Sequence, residues 1–147
     1  MIVPVNEKKP EKAYGTVFNG TASKDISTFF NFDIPQSAKG KTCFLDFLLP
    51  MQSELETSAF ELDGDKTFSF ATAYPAASKH TTYNTAPEEA YQFGHYKLEP
   101  GNAYRIGSHS CPAGEVATFK MSAVGSSYLN YFQDYNPCRE CRIPFST

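Results

Sequence analysis

Hydrophobic and polar residues alternate with period two along most of this chain. In residues 28–34, Phe30, Phe32 and Ile34 share one face while Asn31 and Asp33 share the other. In residues 40–50, Cys43, Leu45, Phe47 and Leu49 point one way and Asp46 the other. Phe68 and Phe70 alternate with Thr67, Ser69 and Ala71, and Ala117, Phe119, Met121 and Ala123 alternate with Val116, Thr118, Lys120 and Ser122. Alternation is what a half-buried strand requires, because successive side chains leave opposite faces of the pleat. Its return about every 8–15 residues predicts an all-β fold of roughly eight or nine strands.

The breaks between these runs carry turn chemistry. Leu62-Asp63-Gly64-Asp65 contains Asp-Gly, a strong hairpin dipeptide. Glu99-Pro100-Gly101-Asn102 reads as a type II turn, with Pro setting the first central φ and Gly accepting a positive φ at the second. Gly125-Ser126-Ser127 is expected to reverse the chain between two further strands. A helix fits only near Pro87-Glu88-Glu89-Ala90, as a single turn. One-sided strands in this number bury their apolar faces best as an antiparallel β-sandwich. With no repeat and no dividing linker, residues 13–147 read as one domain, and residues 1–12, rich in Lys8, Lys9, Pro10, Glu11 and Lys12, as a loose arm.

Composition narrows the function classes. The 147 residues include 13 Phe and 9 Tyr but no Trp, enough aromatic volume for a sizeable core. A net charge of −3 with scattered Lys and Arg builds no basic stripe, which excludes nucleic acid as an expected partner. No apolar run reaches the roughly 18 residues of a membrane span. Met1-Ile2-Val3-Pro4-Val5 passes at once into polar residues and does not form a signal peptide. Either the chain is cytosolic or Met1 was added to a mature secreted chain, and the even count of four cysteines, suited to two bridges, favours the second.

Cys43 and Cys111 each lie in or beside a strand pattern and are expected to pair, stapling the two layers of the sandwich. Closing so long a loop stabilises by about 4 kcal/mol in the chain-entropy model. Cys138-Arg139-Glu140-Cys141 has the spacing of a redox pair and of half a zinc site, but further zinc ligands are lacking. Its place after Pro137, near the end of a β chain, favours a local disulfide pinning the last turn. Asn19-Gly20-Thr21 is an N-glycosylation acceptor in an expected loop.

Catalytic and metal chemistry is weakly represented. If the Pro-Gly turn closes a hairpin, His95 and His109 fall on opposite faces of the ribbon and cannot share a metal. His80 reads as loop. Glu61, Asp63 and Asp65 depart from the twelve-residue calcium loop, and adjacent Glu88 and Glu89 do not face each other. No nucleophile elbow or phosphate loop is present, so neither cofactor nor metal is expected. The remaining candidate is the segment from Ser127 to Pro137. Tyr131, Gln133, Asp134, Tyr135 and Asn136 offer rings to stack on sugars and amides or a carboxylate to bond their hydroxyls, although tyrosines in a half-buried strand are also ordinary core. Residues 74–84, with Tyr74 and Tyr83, add further aromatics that would rim a site.

Six stretches in order resemble a fungal family. They are Phe32-Asp33-Ile34-Pro35, Gly40-Lys41-Thr42-Cys43, Thr81-Thr82-Tyr83-Asn84, Leu98-Glu99-Pro100-Gly101-Asn102, Cys111-Pro112-Ala113-Gly114 and Tyr131-Phe132-Gln133-Asp134-Tyr135-Asn136-Pro137. The family is the domain named after the C-terminal part of a fission-yeast protein that binds the NEDD8-activating enzyme, and the resemblance spans residues 27–137. It implies a fungal protein, often secreted or associated with the cell wall, without established catalytic residues. The ending Cys138-Arg139-Glu140-Cys141-Arg142-Ile143-Pro144 departs from the family's pattern. The expectation is a secreted, non-catalytic module binding cell-wall polysaccharide or an extracellular protein. The alternatives are a secreted glycosidase-like hydrolase and a structural wall protein.

Overall fold

The computed structural model describes residues 1–54, 59–132 and 145–146. In chain order the strands are β1 (Ile2–Asn6), β2 (Asn19–Ala22), β3 (Ile26–Asp33), β4 (Thr42–Leu49), β5 (Phe60–Asp63) and β6 (Thr67–Tyr74). They continue as β7 (Glu88–Lys97), β8 (Asn102–Ser110), β9 (Val116–Val124), β10 (Tyr128–Phe132) and β11 (Phe145–Ser146). A five-stranded sheet, ordered β1-β3-β9-β6-β7, lies against two three-stranded sheets, β2-β10-β5 and β11-β4-β8. All pairings are antiparallel. The expected antiparallel sandwich is the fold, with extra short strands, such as β1, β2 and β11, that carry too little alternation to be read.

The alternating faces meet where the sequence places them. Phe30, Phe68, Phe70, Phe119 and Met121 of the large sheet bury against Leu45, Phe47, Leu49 and Ile106 on one side and Leu129 and Tyr131 on the other. Phe47 and Phe70 approach to 5.9 Å between ring centroids, bridging the layers. Each buried ring removes about 150–250 Å² from water, so these few residues dominate the hydrophobic stabilisation.

The amino terminus corrects the expected arm. Residues 2–6 form edge strand β1, with Ile2 registered on Phe30 and Val5 on Ser27. Val3 and Val5 are buried in a second cluster with Phe29, Ala73 and Ala77 on the outer face of the large sheet. Residues 2–5 are apolar on both faces, Ile2 joining the main core and Val3 and Val5 the outer cluster, and the polar Lys8–Lys12 stretch begins only afterwards. Residues 88–90 likewise form the start of β7 rather than a helical turn, because β6 offers them a long edge to pair with. Single 3-10 turns occur instead at Gln36–Ala38 and Gln52–Glu54.

The turn residues make turns but not the expected hairpins. Asp63-Gly64 carries the chain from β5 in one sheet to β6 in another, and Pro100-Gly101 carries it from β7 to β8 in the opposite layer. Gly125-Ser126-Ser127 does the same between β9 and β10. Two of these corners lock together. The Ser126 amide donates to Asp65 Oδ2 at 3.1 Å, the Asp65 amide donates to Ser126 Oγ at 3.1 Å, and the Thr67 amide donates to Ser127 Oγ at 2.7 Å. Gly64, at φ +70°, lies so close that any Cβ there would collide with the Ser126 carbonyl.

The Ser126 backbone amide, then its hydroxyl, hold the Asp65 carboxyl below its ordinary range. A pKa depressed on folding means the unfolded chain binds the proton more tightly. The corner's contribution is therefore complete above the unfolded value of about 4 and is lost as pH falls through the folded one. Asp65→Asn is expected to be less stable than the parent at neutral pH and to converge with it at an acid pH below the folded-state pKa. Urea midpoints at the two pH values test this. A gap of equal size at both would remove the charge from the explanation.

Candidate functional site

Of the five residues singled out as ligand contacts, Tyr131 lies on β10, and Gln133, Asp134, Tyr135 and Asn136 lie outside the described residues. Tyr131 is no surface platform. Its side chain is 4% exposed, stacked on Phe30 at 6.4 Å and edge-on to Phe47 at 5.6 Å. Gly20 on the neighbouring strand has no room for a Cβ because this ring occupies the space. Burial alone pushes the phenol's pKa well above its ordinary value. The alternation on β10 is as expected, but the face bearing Leu129 and Tyr131 is the inward one.

Cys43 and Cys111 form a disulfide across a sequence separation of 68 residues. It does not join the two layers. Cys43 pairs in register with His109 on β8, and the Cys111 amide donates to the Lys41 carbonyl, so the bridge is a diagonal cross-link within one sheet. Cys138 and Cys141 lie outside the described residues.

His95 and His109 sit in different sheets, on β7 and β8, because the intervening turn crosses the sandwich. His109 packs its ring on Phe119 at 5.6 Å. Glu89 on β7 pairs with Lys120 at 3.2 Å. Asp46 receives a two-bond clasp from Arg105, at 2.8 and 3.0 Å, which raises the guanidinium's pKa further. Among the described residues no group of three or more His, Cys, Asp or Glu converges as a metal would require.

The surface feature that the sequence only half showed is a set of bare tyrosines around the β6–β7 connection. Tyr74 is 77% exposed, Tyr83 45% and Tyr91 64%. Tyr91 lies across from Thr72 on β6 and packs edge-on against Phe93 at 5.2 Å. Phe93 in turn fills the space above Gly107. Tyr74 and Tyr83 fall in the stretch expected to supply rim aromatics. Tyr91 was missed, since its sequence context does not distinguish it from the neighbouring, half-buried Phe93.

The backbone bearing these rings is held from several sides. Asn31 Nδ2 donates to the Ala77 carbonyl at 2.6 Å while its Oδ1 accepts from Thr118 Oγ1 at 2.8 Å. The Asn84 amide donates to the Pro10 carbonyl at 3.0 Å. Thr82 and Thr85 exchange amide-to-hydroxyl bonds around Tyr83, and Ala77 with Ala86 packs on Val3, Val5 and Phe29. A loop fixed before contact loses little entropy on binding, and tyrosine adds large amphipathic area with few rotors. Exposed tyrosines on a held backbone can contact a partner.

The fold is a disulfide-bonded antiparallel β-sandwich with three exposed tyrosines on and around the β6–β7 connection. A family model described as the Ubiquitin 3 binding protein But2 C-terminal domain matches residues 1–137. The chain belongs to that family, and the match begins earlier than the stretches that first showed the resemblance, taking in β1 and β2. No curated protein matches the chain.

Proposed function

We propose that the chain is a secreted, non-catalytic fungal module that binds a protein partner outside the cell through Tyr74, Tyr83 and Tyr91. The observation that carries this is the combination of three solvent-facing tyrosines with a backbone already pinned by Asn31, Asn84 and the Thr82–Thr85 pair. Tyrosine is enriched at protein interfaces because its ring buries apolar area while its hydroxyl stays satisfied. The family is named for binding rather than for a reaction, which supports a non-catalytic role. The Cys43–Cys111 bridge supports an oxidising compartment, since such bonds persist outside the reducing cytosol. A partner from a cytosolic ubiquitin-like pathway fits that chemistry poorly, and a surface or secreted protein fits it well.

The test compares the parent with a Tyr83→Ala/Tyr91→Ala variant, presented to isolated cell-surface proteins and to insoluble wall polysaccharide. The expected result is a protein partner whose cross-links map to residues 74–91 and whose affinity falls about tenfold or more in the variant, equivalent to about 1.4 kcal/mol. Neither ring is buried, so thermal stability should fall only slightly. Retention on polysaccharide that both proteins share would overturn the choice of a protein partner. Equal affinity of parent and variant for the captured protein would overturn the face.

A further inference from the structure

A second surface feature lies apart from the tyrosines. Phe18 is 76% exposed and Phe132 42%, and their rings lie 6.4 Å apart. They border a groove of about 390 Å³ between the chain following β1 and the β2–β10 pair, with Tyr14, Val17 and Ile26 behind them. Two neighbouring exposed phenylalanines are costly for an isolated surface, and a contiguous apolar patch normally has an occupant.

The register identifies one. Asn19 lies directly opposite Phe132 on β10. Directly opposed residues of an antiparallel pair project from the same face, with Cβ atoms about 4.5–5.5 Å apart. Asn19 is exposed, lines the same groove, and opens the acceptor triplet Asn19-Gly20-Thr21. The other two positions of the triplet serve the fold: Gly20 makes room for the Tyr131 ring, and the half-buried Thr21 hydroxyl donates to Asn130 Oδ1 at 3.4 Å.

We propose that Asn19 carries an N-linked oligosaccharide whose first N-acetylhexosamine stacks on the Phe18–Phe132 pair and covers the groove. The apolar face of a pyranose ring suits the face of a phenyl ring, and Asn6, whose Nδ2 donates to the Tyr14 hydroxyl at 3.3 Å, gives the same groove a polar wall suited to an acetamido group. The transfer itself needs a polyprenyl-diphosphate-linked oligosaccharide as donor. The bond from Asn19 Nδ2 to the anomeric carbon forms as the bond from that carbon to the diphosphate oxygen breaks. The diphosphate leaves with the electron pair, and one Nδ2 proton passes to a base. The inference rests on the secretory compartment proposed above.

The experiment uses the protein purified from the culture medium of a fungal host. Peptide mapping should find a hexosamine-based mass on Asn19 and none in Asn19→Gln. Trimming to a single sugar should leave the melting temperature unchanged, whereas complete enzymatic removal should lower it by about 3 °C and expose the groove to a hydrophobic fluorescent dye. In Phe18→Ala, whose ring is mostly solvent-facing, the glycan should still be attached but its effect on melting should vanish. A chain secreted with Cys43 bonded to Cys111 but bare at Asn19 would overturn the glycan and leave the compartment standing. A chain that stays in the cytosol with reduced cysteines would overturn both. Glycosylation without any melting difference on full removal would overturn the stacking.

Discussion

Tyr131→Ala is expected to lose about 3–5 kcal/mol of folding stability, the range for removing a large buried ring. The ring fills the junction of all three sheets, touching Phe30 of the large sheet and Phe47 of one small sheet from its own place in the other. No neighbour can collapse into that space without leaving its own contacts, so the cavity persists. Urea denaturation measures the loss, and a change below about 1 kcal/mol would place the side chain outside the core.

Tyr131→Phe keeps the ring and separates packing from ionisation. Burial raises the phenol's pKa on folding, so the stability linked to it is complete below the unfolded value of about 10 and lost as pH rises beyond it. The parent should weaken in alkali more steeply than Tyr131→Phe. One practical consequence concerns ligand-binding assays: loss of binding in Tyr131→Ala would report unfolding, not a missing contact.

The double variant Cys43→Ala/Cys111→Ala is expected to lose about 4 kcal/mol, from the entropy returned to an unfolded chain when a loop of 68 residues is opened. Because the bridge lies at one end of the β4–β8 ladder, whose pairing runs from Thr42 opposite Ser110 to Leu49 opposite Asn102, the native register should survive its removal. The loss should therefore appear as a lower denaturation midpoint with an unchanged native spectrum. Reduction of the parent should reproduce it. A loss under about 1 kcal/mol would show that the unfolded state is already compact around these strands.

Much of the fold is legible in local pattern because alternation is a local property. Phe30 and Phe32, Leu45 and Phe47, Phe68 and Phe70, and Phe119 and Met121 each announce a face within a few residues. The turn chemistry of Asp63-Gly64 and Pro100-Gly101 is local as well, and the turns are there. Whether a turn returns the chain to the same sheet or lifts it to the opposite layer is a different matter. It depends on which strand offers a partner edge, here β10 for β5 and β4 for β8, far away in sequence. Assuming a hairpin misplaced the partners of His95 and His109, and strand patterns alone could not tell that the disulfide lies within one sheet.

The candidate site shows the same division. Tyr131 and Tyr91 both sit in alternating strands, and alternation says which neighbours share a face without saying which face is covered. Leu129 and Tyr131 turned inward because β10 lies between two edge strands over the large sheet. Tyr91 stayed outside because β7 is the last strand of its sheet. By itself the sequence determined the all-β class, the strand faces, the cysteine pair and the glycosylation triplet, all set by period-two patterning and short-range chemistry. Only the tertiary structure decided which tyrosines meet solvent, that the sulfur bridge lies within a sheet, and that Phe132 stands opposite Asn19, because each of these depends on pairing between segments distant along the chain.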